Sequence, residues 1–181
     1  MDALTQALEA YVSRNATPLT DALSIEAFAL LWKNLPRAWE NGRDIDARSA
    51  CAIGSLMAGM ALSNARLGAV HGMAHPLGVR YALPHGLVCA VLLPEVVRIN
   101  LPHAAAKYAR AAEVTGGDLV DSIEDMNTRL GVYDGFDASV LDPADFDAIA
   151  EESMPSGSLK ANPKTFETED IVSVLEAIHD R

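Results

Sequence analysis

The middle of the chain carries the stretch Val70-His71-Gly72-Met73-Ala74-His75-Pro76-Leu77-Gly78, followed by Pro84-His85-Gly86. An imidazole is costly to bury in such an apolar, glycine-rich segment unless a partner satisfies its ring nitrogens. His71 and His75 are one helical turn apart and share a face, and His85 follows after a turn-like break. Two neighbouring helices could thus direct ring nitrogens at one point, an arrangement that favours a divalent metal site.

The histidine spacing alone leaves two interpretations open. A histidine pair at positions i and i+4 is also typical of two ordinary side chains that have hydrogen bonds of their own. Asp2 and Gln6 show the same spacing at the start of another apolar helix. One carboxylate oxygen with two imidazoles suits iron(II), zinc or a similar ion, so this first helix strengthens the metal hypothesis.

Helical periodicity extends along the whole chain. Thr17 is a typical N-cap residue with Pro18 at the first helical position. Pro36 should end the second helix, and Pro76 should disturb the end of the histidine helix. The predicted helices cover residues 2–14, 18–36, 44–64, 68–78, 84–99, 102–114, 118–130, 143–152 and 167–179. Alternating strand patterns are absent, so we predict an all-α helical bundle with residues 1–181 in one domain.

Several classes of protein are excluded or disfavoured by the sequence. No strand leads into a glycine-rich loop and a helix, so the chain lacks a dinucleotide-binding fingerprint. A formal charge of −11 argues against nucleic acid as a partner. No run reaches the roughly 20 apolar residues of a membrane span, and the N-terminus does not resemble a signal peptide. We therefore expect a cytoplasmic protein in which Cys51 and Cys89 are buried, reduced thiols.

Four segments together resemble the C-terminal domain of the iron-containing (group III) alcohol dehydrogenases. They are residues 2–11 (Asp-Ala-Leu-Thr-Gln-Ala-Leu-Glu-Ala-Tyr), residues 63–68 (Ser-Asn-Ala-Arg-Leu-Gly), the histidine stretch, and residues 161–164 (Ala-Asn-Pro-Lys). The resemblance implies a bundle of the dehydroquinate synthase-like α-domain type. It implies metal ligation by Asp2, His71 and His85, with Gln6 at a ligand position that is usually histidine in the family. The resemblance further places His75 beside substrate and nicotinamide as a catalytic residue rather than a ligand.

The resemblance also implies the reaction and the partners. A divalent metal, iron(II) or zinc, would polarise the oxygen of a small alcohol or aldehyde during hydride transfer to or from NAD or NADP. Such enzymes have a preceding nucleotide-binding domain, and this chain begins almost on the first ligand. The chain is thus either such a domain taken from a longer protein or one that meets a separate nucleotide-binding chain as its partner, and no cofactor-binding residues are identified within residues 1–181.

Two consequences follow for the chain by itself. Without the nucleotide domain we expect the chain to be inactive. The wall of this chain that would face the nucleotide domain is then exposed and should be apolar enough to favour a homo-oligomer. Met57, Met60, Leu67 and Met73 are candidates for that wall, although core packing is the alternative for each. Two other functions stay open: a non-catalytic remnant, and a helical module that binds a metal or a small ligand in a new role.

Overall fold

Nine α-helices build the protein, and a computed structural model describes all of residues 1–181. The helices are α1 (Asp2–Val12), α2 (Pro18–Glu40), α3 (Ile45–Ala65), α4 (Ala69–Tyr81), α5 (His85–Asn100), α6 (Ala105–Thr115), α7 (Leu119–Arg129), α8 (Phe146–Ser153) and α9 (Thr168–His179). Short 3-10 turns occupy Leu101–His103, Ala138–Val140, Pro143–Asp145 and Leu159–Ala161. No strand is present, which confirms the predicted all-α class.

Helix α1 lies at the centre of the bundle and packs against α2, α3, α5 and α6. Eight of its eleven residues are buried, among them Leu4 and Leu8. A helix buried on most sides is ordinarily apolar all round. Glu9 is the charged exception, because this residue is only 4% exposed and its carboxylate must find partners inside the protein.

Two predicted helix ends are wrong for the same physical reason. Helix α2 continues through Pro36 to Glu40, and α4 continues through Pro76 to Tyr81. A proline inside a helix removes one backbone hydrogen bond and disfavours the helical conformation of the preceding residue. Pro36 and Pro76 are both buried, so the packing of these helices against their neighbours offsets that local cost.

Helix α5 carries the most apolar part of the chain. The segment His85–His103 is long and apolar enough to cross a membrane by length and composition alone. However, 56% of its most apolar window is buried inside the protein, and most residues between Val88 and Val97 lie in the hydrophobic core. The apolar character of α5 is thus accounted for by core packing.

Candidate metal centre

The ends of three helices converge at one point on the edge of the core. Asp2 is the first residue of α1, His71 the third of α4 and His85 the first of α5. One donor atom from each, together with the Cys89 sulfur, lies within 4.8 Å of every other in the group. The structure thus brings Asp2, His71 and His85 together, although they are far apart in the sequence.

The distances within this group are those of ligands that could share one ion. Nε2 of His71 is 3.1 Å from Oδ1 of Asp2, and Nε2 of His85 is 3.8 Å from the same oxygen. The two imidazole rings are tilted by 59°, with their centres 5.4 Å apart. The His71 side chain is only 8% exposed, whereas that of His85 is 51% exposed. The centre is therefore closed on the His71 side and accessible on the His85 side.

Glu9 orients the His71 ring through its Nδ1 nitrogen. This role was not predicted from the sequence. Oε2 of Glu9 lies 2.6 Å from Nδ1 of His71, and its Oε1 accepts a hydrogen bond of 2.7 Å from the backbone N–H of Val70. A carboxylate on the second ring nitrogen is the usual way to orient a metal-binding histidine and increase its basicity. The available signal was the spacing, because Glu9 follows Asp2 by seven residues and shares its face of the helix.

His71 lies between the carboxylates of Asp2 and Glu9 and interacts electrostatically with both. Burial alone lowers the pKa of its imidazole, but hydrogen bonds to Asp2, Cys89 and Glu9 outweigh burial and raise that pKa to about 12. The hydrogen bond from His71 in turn lowers the pKa of Asp2. In the metal-free protein an imidazolium therefore joins Asp2 to Glu9, and a metal bound at Nε2 would take the place of its proton.

Gln6 contacts Asp2 rather than the centre of the group. Its side-chain Nε2 donates a hydrogen bond of 3.1 Å to Oδ2 of Asp2. The carboxylate oxygen that faces the histidines is the other one, Oδ1. The contact that the structure gives to Gln6 is thus one that orients the Asp2 carboxylate, and its predicted role as a ligand stays a prediction.

His75 lies one turn beyond His71 on α4, with an exposed side chain. It does not belong to the group of converging donors. Its assignment as the catalytic residue stays a prediction.

Cys89 is the second residue whose position sequence reasoning did not foresee. It is fully buried, as predicted, but its Sγ lies 3.5 Å from Nε2 of His85 and 3.8 Å from Nε2 of His71. Its surroundings are therefore not purely apolar. The i, i+4 spacing from His85 placed both side chains on one face of α5 and could have revealed this. Cys51 differs from the prediction in another way, since it is partly exposed.

The helix that carries His71 is anchored by the Asn162 side chain. Oδ1 of Asn162 accepts hydrogen bonds from the backbone N–H of Ala69, at 3.1 Å, and from the amide of Asn100, at 2.9 Å. Glu9 accepts the next backbone N–H, so two of the free amides at the start of α4 are satisfied by buried side chains. A Cβ on Gly68 would lie 2.8 Å from both acceptors, which explains why glycine precedes the helix.

Comparison with known proteins identifies the family of the chain. The model of the Fe-containing alcohol dehydrogenase family, C-terminal, matches residues 1–179. The chain is 41% identical to 1,3-propanediol dehydrogenase from Klebsiella pneumoniae, with 97% of this chain and 48% of that protein aligned. It is 34% identical to the NAD-dependent methanol dehydrogenase of Bacillus methanolicus, with 97% and 49% aligned.

A solved structure supports the same assignment. The alcohol dehydrogenase from Oenococcus oeni superposes with a TM-score of 0.91 at 34% identity, covering 98% of this chain and 50% of that one. The chain spans about half the length of the curated relatives it matches. The family model matches almost the whole of these residues and is that of the C-terminal half. The chain therefore belongs to the iron-containing alcohol dehydrogenase family, as its C-terminal domain.

Proposed function

We propose that this domain holds the divalent metal of an NAD(P)-dependent alcohol dehydrogenase whose nucleotide-binding half is supplied by another segment or chain. The observation that carries the proposal is the convergence of Asp2, His71 and His85 within 4.8 Å of one another. Two imidazoles and a carboxylate form a donor set that fits iron(II) or zinc. The relatives include an NAD-dependent methanol dehydrogenase, which supports the same class of reaction.

The bound metal would supply Lewis-acid polarisation of an alcohol or aldehyde oxygen. The protein's own part is to hold the donors in place and to leave access for substrate. Glu9 and Gln6 each fix one ligand, His71 and Asp2 respectively, through the hydrogen bonds described above. The half-exposed side of the centre, at His85, is the side from which a small alcohol can approach. His75, exposed on the same helix as His71, is proposed to carry the proton between the reacting centre and solvent.

The isolated chain should not oxidise alcohols. No strand, and therefore no dinucleotide fingerprint, exists in these residues to hold a nicotinamide cofactor. Assays of the purified chain with iron(II) or zinc, NAD or NADP, and methanol or 1,3-propanediol should give no turnover above background. The nucleotide-binding half of a relative, added in trans, should restore activity. Robust turnover by the chain alone would contradict the proposal that another segment holds the cofactor.

The Glu9 carboxylate provides a test of metal binding that needs no activity. Glu9→Gln should weaken zinc binding by about 10–100-fold, because an amide cannot match the carboxylate that orients His71 and increases its basicity. Isothermal titration with zinc would measure the change. Glu26→Gln is the matched control, since Glu26 is exposed on α2, away from the centre. Equal affinities for Glu9→Gln and the unaltered protein would mean that His71 is not a ligand.

Self-association and location are also proposals. The outer face of α3 exposes Ile53 (53%), Leu56 (65%) and Met60 (50%) at helical spacing, an apolar surface that supports a homo-oligomer or a contact with the nucleotide-binding half. Of the other residues considered for such a wall, Met73 is fully buried and belongs to the core. Two free cysteines fit a reducing compartment, and we place the protein in the cytoplasm.

A further inference from the structure

We propose that Cys89 is a fourth metal ligand, which makes the centre a two-histidine, one-carboxylate, one-thiolate site that prefers zinc to iron(II). This inference rests on the proposed function only in that a metal occupies the centre. It does not depend on the identity of the alcohol or on the nucleotide-binding half.

The donor geometry fits a zinc-sized ion bound by all four residues. Zinc–sulfur bonds of about 2.3 Å and zinc–nitrogen or zinc–oxygen bonds of about 2.0–2.1 Å fix the spacing of ligands around a tetrahedral ion. Sulfur and nitrogen then lie about 3.6 Å apart, and nitrogen and oxygen about 3.3 Å apart. The sulfur of Cys89 is 3.5 Å from His85 Nε2 and 3.8 Å from His71 Nε2. Asp2 Oδ1 is 3.1 Å from His71 Nε2 and 3.8 Å from His85 Nε2. Four of the six donor pairs therefore lie within about 0.5 Å of the tetrahedral spacings, and the other two pairs lie within 4.8 Å.

The sulfur of Cys89 lies beside the donors of Asp2, His71 and His85. The residue is fully buried, and its only polar side-chain contacts are the two histidine nitrogens that face the centre. His85 and Cys89 occupy successive turns of α5, so the rigid helix presents both donors from one side. Cys51, on α3, makes no hydrogen bond to a histidine.

Gln6 leaves the fourth position to the sulfur. Its amide is hydrogen-bonded to Oδ2 of Asp2, on the opposite side of the carboxylate from the histidines. A neutral carboxamide is also a weaker donor to zinc than a thiolate. When the sulfur binds, the thiol releases its proton to solvent, so the bound group is a thiolate. A soft thiolate in the ligand set selects zinc over iron(II), which favours harder donors.

X-ray absorption of the zinc-loaded full chain tests this directly. We expect one sulfur neighbour at about 2.3 Å beside nitrogen and oxygen neighbours at about 2.0–2.1 Å. Cobalt(II) in place of zinc should give a near-ultraviolet thiolate-to-cobalt charge-transfer band. Both signatures should persist in Cys51→Ala and disappear in Cys89→Ala. In Cys89→Ala, the preference for zinc over iron(II) in a competition titration should fall by about 10–100-fold, the scale of changes around a metal site.

Each other outcome overturns the inference. Bound zinc with only nitrogen and oxygen neighbours would remove Cys89 from the ligand set and leave the proposed function intact. Failure of the chain to bind zinc or cobalt would overturn both. Loss of the charge-transfer band in Cys51→Ala instead of Cys89→Ala would mean that the sulfur ligand comes from α3 and not from α5. The spectra of the unaltered protein decide the point even if Cys89→Ala does not fold, and circular dichroism checks that fold.

Discussion

His71→Ala should abolish measurable zinc binding, with a loss of more than about 100-fold, and should destabilise the metal-free protein. Changes to residues that merely support a metal ligand already cost 10–100-fold, and His71 is a ligand candidate with both ring nitrogens engaged. Its removal also leaves the buried Glu9 carboxylate without its imidazolium partner. Removing one partner of a buried ion pair lowers the free energy of unfolding by about 3–5 kcal/mol. Zinc titration and urea unfolding measure the two effects.

His75→Ala is the matched control for His71→Ala. The two residues lie one turn apart on α4, but His75 is exposed and outside the donor group. Its replacement should change the free energy of unfolding by no more than about 0.5 kcal/mol and leave zinc affinity unaltered. Only the activity of the enzyme reconstituted with its nucleotide-binding half should fall. Equal losses of zinc affinity in both variants would show that the two histidines act together, contrary to the roles assigned here.

Gly68→Ala should lower the free energy of unfolding by at least about 3 kcal/mol. The added Cβ would lie 2.8 Å from the Asn162 and Glu9 acceptors that bind the first amides of α4. Overpacking costs about 1–3 kcal/mol, and a hydrogen bond to a charged acceptor contributes about 1.5–3 kcal/mol. At 2–4 °C per kcal/mol for a chain of this size, the melting temperature should fall by roughly 6–12 °C.

Gly59→Ala tests whether that effect is specific to the start of α4. Gly59 lies inside α3, and a Cβ there would meet no atom within 4 Å. Alanine is the better helix former by about 0.5–1 kcal/mol, so this variant should be slightly more stable than the unaltered protein. If differential scanning calorimetry gave the two glycine variants similar melting temperatures, the proposed anchoring of α4 would be wrong.

Local sequence patterns were sufficient to predict the helices but not where two of them end. Periodicity, the Thr17 N-cap and Pro18 identify helix starts through interactions within a few residues. Pro36 and Pro76 depart from the local rule because each is buried in a helix that packs against other helices. A local rule for proline contains no information on such packing.

The candidate metal centre, too, could be predicted only in part from local sequence patterns. His71, His85 and Asp2 could be proposed from spacing and family resemblance, because their residue types are rare in apolar segments. Cys89 and Glu9 were missed because a buried cysteine is ordinarily an inert apolar residue, and a single glutamate ordinarily faces solvent. Only the convergence of α1, α4 and α5 shows that Glu9 contacts His71 and that the Cys89 sulfur lies beside both His71 and His85. Asn162 is a further case, since its role is to anchor a helix more than ninety residues earlier in the chain.

We propose that Asp2, His71 and His85 bind one divalent metal. An anomalous difference map at the zinc edge, from a crystal of the zinc-loaded chain, would locate that metal. We expect a single strong peak at about 2.0–2.1 Å from Oδ1 of Asp2 and from the Nε2 atoms of His71 and His85. A map with no peak at these three residues, or with its peak on other side chains, would contradict it.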